Sequence, residues 1–190
     1  MNTLIVTNAD SDPLGRAEAL ESFVKDAVGS DDDADATVVA EDGIALLSFQ
    51  ALYPMPEDKE QQLEEGKDCY LNTMFPSSNT THSKTLDGAW YHWRIHHWGT
   101  KWTADSIRRK LTDHKATYTF CTAWCPPIPF MDKIAKDYPL LIFELRFVEF
   151  GNDFAGLFTW KSGAPVLKSE GLPSEFLFCR EEYNAMVEEY

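Results

Sequence analysis

The first thirty residues change from the spacing of a strand to that of a helix. Residues 3–7 form a β-branched run that ends at Asn8, which is typical of a first strand. Asp12 and Pro13 then occupy the positions favoured for an N-cap and a first helical residue. Apolar residues follow at intervals of three and four until Gly29, and they are Leu20, Phe23, Val24, Ala27 and Val28. The pattern predicts a strand followed by an amphipathic helix.

The rest of the chain predicts more strands than helices. Strands are expected at 37–40, 44–53, 116–124, 140–150, 154–161 and 164–168. Helices are expected at 57–67, 87–98, 103–110 and 129–137, the third of them capped by Thr103. This order predicts an α+β sandwich, with a mostly antiparallel sheet and its helices on one face. We expect one domain over 1–190, with a Trp- and His-rich helical insertion at about 57–114 and an acidic C-terminal segment at 170–190.

Two of the expected strands carry rings at every second position. Tyr118, Phe120 and Trp124 share one face of the strand at 116–124, and Phe143, Leu145 and Phe147 share one face of the strand at 140–150. Such rings bind RNA when they stand on an open sheet face, and they form the core when they face helices. The Lys/Arg-Gly-Phe/Tyr motif of RNA-binding modules is absent, which favours the core.

Five short motifs occur in an order that resembles a known family. They are Tyr53-Pro54-Met55-Pro56, Trp98-Gly99-Thr100-Lys101-Trp102, Thr122-Ala123-Trp124-Cys125-Pro126-Pro127, Tyr138-Pro139 and Glu149-Phe150-Gly151-Asn152-Asp153-Phe154-Ala155-Gly156. Over roughly 44–160 the chain resembles the YubB-type ferredoxin-like domain family, which phages and plasmids carry. That family usually has Asn at the position of His97 and Ser at that of Cys125. The resemblance implies the fold and a mobile-element origin, and it implies no catalytic residues.

Composition limits the class of protein. Hydrophobic residues make up 44% of the chain and aromatic residues 13%, which excludes a disordered acidic protein. No apolar run approaches the roughly 18 residues of a membrane span, and residues 1–5 lack the basic and apolar stretches of a secretory signal. We therefore expect a protein of the host cytoplasm that makes no membrane contact, with its four cysteines as reduced thiols.

The formal net charge of −14 is concentrated at the two ends of the chain. Residues 1–60 hold 14 acids and 3 bases, and residues 170–190 hold 6 acids and 1 base. Residues 61–169 hold 11 acids and 13 bases. Acidic ends repel a phosphate backbone and attract a basic protein.

The leading hypothesis is therefore an accessory protein of a phage or plasmid that acts by binding. Its partner would be a host defence or nucleic-acid-processing protein with a basic surface, which it would inhibit. The acidic segments 31–42 and 170–190 would supply attraction, and exposed rings would supply anchors. The expected partner-binding residues are Asp31, Asp32, Asp33, Asp35, Trp98, Lys101, Trp102, Arg108 and Arg109.

Two other hypotheses stay open. Trp and basic side chains within 98–110 form the combination that binds single-stranded nucleic acid or a nucleotide phosphate. A zinc site is the second, since His92 and His96 share a helical face and Cys121 and Cys125 could add thiolates. Packing is the commoner role for rings at this density, so we expect neither a metal nor another cofactor. Without a Gly-rich phosphate loop or a declared Ser/His/Asp trio, we also expect no enzyme.

Overall fold

The computed structural model describes residues 1–9, 13–29, 47–66 and 86–179. Within them the chain forms six strands and five helices, besides single 3-10 turns at Leu86–Gly88 and Pro173–Glu175. The strands are β1 (Asn2–Asn8), β2 (Asp105–Thr112), β3 (Lys115–Cys121), β4 (Leu141–Glu149), β5 (Phe154–Lys161) and β6 (Ala164–Gly171). The helices are α1 (Pro13–Asp26), α2 (Phe49–Leu52), α3 (Lys59–Glu65), α4 (Ala89–Trp98) and α5 (Ile128–Asp137).

All six strands belong to one antiparallel sheet in the order β2-β3-β1-β4-β5-β6. The succession β1-α1-β2-β3-α5-β4 with the spatial order β2-β3-β1-β4 is the ferredoxin-like arrangement. Helices α2, α3 and α4 lie between α1 and β2 in the chain, and β5 and β6 extend the sheet beyond β4. The predicted α+β ferredoxin-like fold is confirmed.

The core lies between α1, α5 and one face of the sheet. Leu4 and Val6 of β1 are fully buried, whereas Thr3, Ile5 and Thr7 on the other side of the strand are only half-buried, as strand alternation requires. Phe23 of α1 packs edge-on against Phe143, with ring centroids 5.4 Å apart. Five of the six sheet residues predicted to face the core are buried, and they are Tyr118, Phe120, Phe143, Leu145 and Phe147. The prediction was wrong for the sixth, Trp124, which is exposed because the strand ends at Cys121, before this residue.

We call the opposite side of the sheet the outer face. Cross-strand register places Thr3, Thr119 and Arg108 side by side on it, and Ile5, Thr117 and Lys110 in the next row. At one end of this face, Phe178 and Cys179 pack on Val148 and Ala155 in a small second apolar cluster. The remaining described part of the outer face carries mostly hydroxyl and charged side chains, with Ile5 and Ile142 among them.

Two predicted elements were wrong, and non-local contacts explain both. Residues 105–112 form the edge strand β2 where a helix was predicted at 103–110, because they pair with β3 and bury Ile107. Part of the predicted strand 44–53 is helix α2, which Ser48 caps by accepting a hydrogen bond from the Ala51 amide. Thr103 does not cap a helix, and its hydroxyl accepts a hydrogen bond from the Phe49 amide.

Other predicted elements agree with the structure to within a few residues, apart from the strand at 116–124, which ends at Cys121. The strand expected at 37–40 and the N-cap Asp12 lie outside the described residues. Because β2 joins the sheet, the helical part of the stretch expected at 57–114 ends at Trp98.

Candidate functional site

Helix α4 ends in a turn that sends the chain towards the surface. Gly99 has φ +78°, and its amide donates to the Ile95 carbonyl as the C-cap. A Cβ on Gly99 would lie 2.6 Å from Cδ of Pro129 and 3.3 Å from the Pro126 carbonyl oxygen. Only glycine combines this left-handed backbone with so close an approach. The turn places Lys101 and Trp102 beside the loop that follows β3.

That loop, residues 122–127, is held by hydroxyl groups. The Thr100 hydroxyl donates to the Ala123 carbonyl and accepts from the Ala123 amide, both at 3.2 Å. Within the loop, the Thr122 hydroxyl donates to the Cys125 carbonyl at 2.8 Å and accepts from the Asn2 side-chain amide at 2.9 Å. Two of the motifs noted in the sequence are thereby joined in space.

Where the two motifs meet, a lysine lies between two indole rings. Lys101 Nζ is 3.9 Å from the ring centroid of Trp102 and 3.9 Å from that of Trp124. Trp102 is 49% exposed and Trp124 is 61% exposed. Trp124 also has φ +66°, a conformation that costs an ordinary residue about 1–2 kcal/mol. We call Lys101, Trp102 and Trp124 the clamp.

Arg94 of α4 adds a second cation close to the clamp. Its guanidinium carbon lies 4.8 Å from the Trp98 ring centroid and 5.4 Å from that of Trp90, and it donates to the Lys101 carbonyl at 3.4 Å. Trp98 itself is 1% exposed, and its indole N–H donates to the Tyr53 carbonyl. The prediction of Trp98 as an exposed anchor was wrong, because this ring packs against Phe49 in the core.

The two predicted arginines lie on opposite faces of β2. Arg108 pairs with Thr119 on the outer face, whereas Arg109 pairs with Tyr118 on the helix side. Burial raises the pKa of the Tyr118 phenol, and the nearby Arg109 guanidinium works in the opposite direction. Arg108 therefore contributes its positive charge to the outer face, whereas Arg109 does not.

The outer face is basic in a chain that is acidic as a whole. Among the described strand residues, five bases and two carboxylates project from it by cross-strand register. The bases are Arg108, Lys110, Lys115, Arg146 and Lys161, and the carboxylates are Asp105 and Glu144. Glu144 lies 2.6 Å from the Arg146 guanidinium and is thus neutralised by it.

The proposed metal ligands do not come together. Within the described residues, no group of three or more His, Cys, Asp and Glu side chains could hold a metal ion. Cys121 ends β3 in an exposed position, and burial raises the pKa of the half-buried Cys125 thiol. The geometry gives no support to the zinc hypothesis for His92, His96, Cys121 and Cys125.

A polar network that the sequence did not suggest lies on the other side of α4. The Tyr53 hydroxyl is 2.6 Å from His97 Nδ1, and Glu65 Oε2 is 3.8 Å from His97 Nε2. Trp93 stacks on the His97 ring at 4.4 Å between centroids, and its indole N–H donates to Glu65 at 2.7 Å. The network ties α3 and α4 to the segment after α2. In the sequence, only the spacing of Trp93 and His97, four positions apart on a predicted helix, indicated this network.

The network predicts a loss of stability on mild acidification. Burial lowers the pKa of His97, and the adjacent His96 lowers it further. The unfolded chain therefore takes up the His97 proton at a higher pH, near 6.5, than the folded chain does. The free energy of unfolding thus falls as pH drops through that value and levels off below the folded pKa.

Urea unfolding at pH 7.5 and pH 5.5 measures this loss. We expect it to be smaller in His97→Gln, which has no ring to protonate. Hydrogen bonds from Gln61 and Trp93 lower the pKa of Glu65, so its own contribution is lost only at more acidic pH. Equal losses in the two proteins would contradict the assignment to His97.

The remaining predicted binding residues are acidic. Asp31, Asp32, Asp33 and Asp35 lie outside the described residues, as does the part of the acidic C-terminal segment beyond Cys179. Within the described part of the chain, no helix combines the length and apolar character that a membrane crossing requires.

The family match among the comparisons with known proteins lies in the second half of the chain. Residues 97–175 match the model of a family described as a ferredoxin-like domain in Api92-like protein, which supports the fold and spans the clamp and β2–β6. A search of curated proteins finds no match. A solved structure of protein api92 from Yersinia pseudotuberculosis is 16% identical, with a TM-score of 0.39. That similarity covers 44% of this chain and 29% of the other. The finer resemblance to the YubB-type family stays a prediction.

Proposed function

We propose that this protein binds single-stranded nucleic acid, with bases stacking on the clamp and the backbone following the basic outer face. The observation that carries the proposal is the clamp itself. Two half-exposed indole rings are held on either side of one ammonium group, at the end of the sheet where β2 begins and β3 ends. Aromatic surface next to cations is the combination that sequence-tolerant binders of single strands use.

The first supporting argument is the way the rings are fixed. Lys101 holds both rings by cation–π contact, and Trp124 sits in a loop tied down by Thr100 and Thr122. A ring held in place before binding loses little conformational entropy when a base stacks on it. Each stacked base is worth about 1–3 kcal/mol in such sites.

The second argument is the continuity of positive charge. Arg108 follows Trp102 by six positions, so at most roughly 20 Å lies between their backbones. Arg108 and Lys110 are two residues apart on the same side of β2, or about 7 Å. A nucleic-acid strand that is bound at the clamp would therefore meet a series of cations along β2 and β3.

The net charge of −14 limits the proposal to this local surface. Described residues 86–179 hold 11 bases and 10 acids, so the acidic excess lies elsewhere in the chain. We therefore expect modest affinity that depends on few phosphate contacts. About three contacts correspond to a slope near −2 in log K against log salt.

An acidic surface that captures a basic host protein is the alternative, in keeping with a mobile-element origin. Its support is the charge of segments 31–42 and 170–190. In the described part of the second segment, Glu175 is already engaged, since it accepts a hydrogen bond from the Leu172 amide. The exposed rings and the outer-face cations favour the nucleic acid.

Fluorescence anisotropy with labelled 20-mers tests the proposal. We expect single-stranded DNA and RNA to bind with micromolar affinity at 50 mM salt, to bind more weakly at 200 mM, and to quench tryptophan fluorescence as bases stack. Duplex DNA of equal length is expected to bind at least tenfold more weakly, because its bases are already stacked. No binding of either single strand at 100 µM protein would refute the proposal and leave the basic-partner alternative.

A further inference from the structure

The two edges of the sheet differ in how they are protected. Strand β6 is one edge of the described sheet, and almost every side chain on it is exposed. Val166 is 61% exposed and Leu167 is 45% exposed, and Leu172, directly after the strand, is also exposed. An exposed edge with apolar side chains is a template for pairing with another strand.

The charges on β6 are complementary to those on a second copy of the same strand. Lys168 and Glu170 both project towards the helix side, since they pair with Phe158 and Gly156 of β5. In an antiparallel pair of β6 strands centred on Ser169, Lys168 of each copy lies opposite Glu170 of the other. Two ion pairs therefore form together within the regular part of β6, which follows the bulge at Val166 and ends at Gly171. Cross-strand pairs of opposite charge stabilise sheets.

The opposite edge shows the contrary pattern. Strand β2 carries the consecutive bases Arg108, Arg109 and Lys110. Pairing of β2 with its own copy would bring like charges together on both faces, which destabilises a sheet and is a common protection of edges. The chain thus blocks self-association at β2 and offers matching charges at β6.

We propose that two copies of this chain pair through β6, which joins their described six-stranded sheets into one continuous antiparallel sheet. The two-fold axis of such a pair is perpendicular to the sheet, so both outer faces lie on the same side. The two clamps would then stand roughly 50 Å apart, eleven strand spacings of about 4.8 Å. This inference does not depend on the proposed function, although a dimer would present two basic outer faces to one nucleic-acid strand.

The size of the contact determines the expected affinity. An edge of eight residues buries less than the roughly 1,200–2,000 Å² of a stable interface. We therefore expect a reversible dimer in the micromolar range rather than a permanent one.

Analytical ultracentrifugation from 1 to 200 µM tests the pairing through a charge exchange. Lys168→Glu and Glu170→Lys each turn two attractive pairs into two repulsive ones, and we expect each to weaken dimerisation at least about tenfold. The double variant K168E/E170K restores opposite charges in the same register, so we expect its dimer affinity to return to within about threefold of the original.

The control is Lys161→Glu on the outer face of β5. It makes the same change of net charge as Lys168→Glu and is expected to leave dimerisation unaltered. Circular dichroism and urea unfolding check that each variant folds. A chain that stays monomeric at 200 µM would overturn the proposal. That result would instead be consistent with another segment of the same chain covering the β6 edge. Dimerisation that ignores the single charge reversals, or that the double variant fails to restore, would overturn it as well.

Discussion

Replacing Trp102 and Trp124 together by alanine is expected to lower the affinity for single-stranded DNA about 30-fold or more. Each ring supplies one stacking surface worth about 1–3 kcal/mol, and the double variant removes both. Because the rings are 49% and 61% exposed, their removal takes little from the core, and the free energy of unfolding is expected to change by less than about 1 kcal/mol.

Two further variants separate stacking from other effects. Trp90→Ala removes a partly exposed indole from the start of α4, outside the clamp, and is expected to change affinity less than about threefold. Lys101→Met keeps an apolar stem of similar length between the rings and removes the charge. We expect it to weaken binding and to reduce the slope of log K against log salt by the contribution of about one phosphate contact.

The outcome also decides whether the clamp is the site at which bases stack. If W102A/W124A binds single strands as tightly as the original chain, the clamp is not a stacking site and the proposal fails. If Trp90→Ala is as damaging as the double variant, binding follows total aromatic surface rather than the clamp. Anisotropy titrations at two salt concentrations measure all of these quantities.

The elements that the sequence predicted correctly are those whose apolar spacing is local. The alternation of Phe143, Leu145 and Phe147 identified β4 and its core-facing side, since a buried face demands that period. The spacing of Leu20 and Phe23 likewise identified α1. In these segments local propensity and tertiary packing agree, so the sequence alone suffices.

Strand β2 was mispredicted because its neighbours decide its conformation. Arg, Lys and Leu differ little in helix propensity and all favour helices, so residues 105–112 resemble a helix in isolation. Pairing with β3 at Asp105 and over residues 108–112 outweighs this small difference in propensity. No residue spacing reveals that contact, because β1, α5 and the rest of the sheet must first be in place.

The candidate site was half predictable for the same reason. The Trp-Gly-Thr-Lys-Trp motif identified Lys101 and Trp102, but it could not tell the buried Trp98 from the exposed Trp102. Trp124 was assigned to a strand, and only its positive φ and the hydroxyl bridges of the loop turn it towards Lys101. The clamp joins residues more than twenty positions apart, and the contact that orients them has no local pattern.

Gly99→Ala is expected to lower the free energy of unfolding by about 3 kcal/mol and the melting temperature by roughly 6–12 °C. A left-handed φ costs an L residue about 1–2 kcal/mol, and a Cβ 2.6 Å from the Pro129 ring adds about 1–3 kcal/mol of overpacking. The reduced entropy of the unfolded chain returns about 0.4–1 kcal/mol. Thermal and urea unfolding measure the change.

Gly163 offers a matched control for this substitution. It has the same φ of +78°, but a Cβ there would have its nearest neighbour at 3.5 Å, an ordinary contact. Gly163→Ala is therefore expected to cost only about 1 kcal/mol, the strain of the backbone without the clash. The difference between the two variants measures how tightly α4 is pressed against α5 at the clamp.

The same pair of variants links the fold to the site. Relief of the clash in Gly99→Ala must move residues 100–102 away from Pro126 and Pro129, and with them the Lys101 ammonium away from Trp124. Affinity for single strands should therefore fall in Gly99→Ala, although every clamp side chain is still present, and should be unchanged in Gly163→Ala. Equal stability losses in the two variants would mean that the α4 turn yields easily and does not hold the clamp in place.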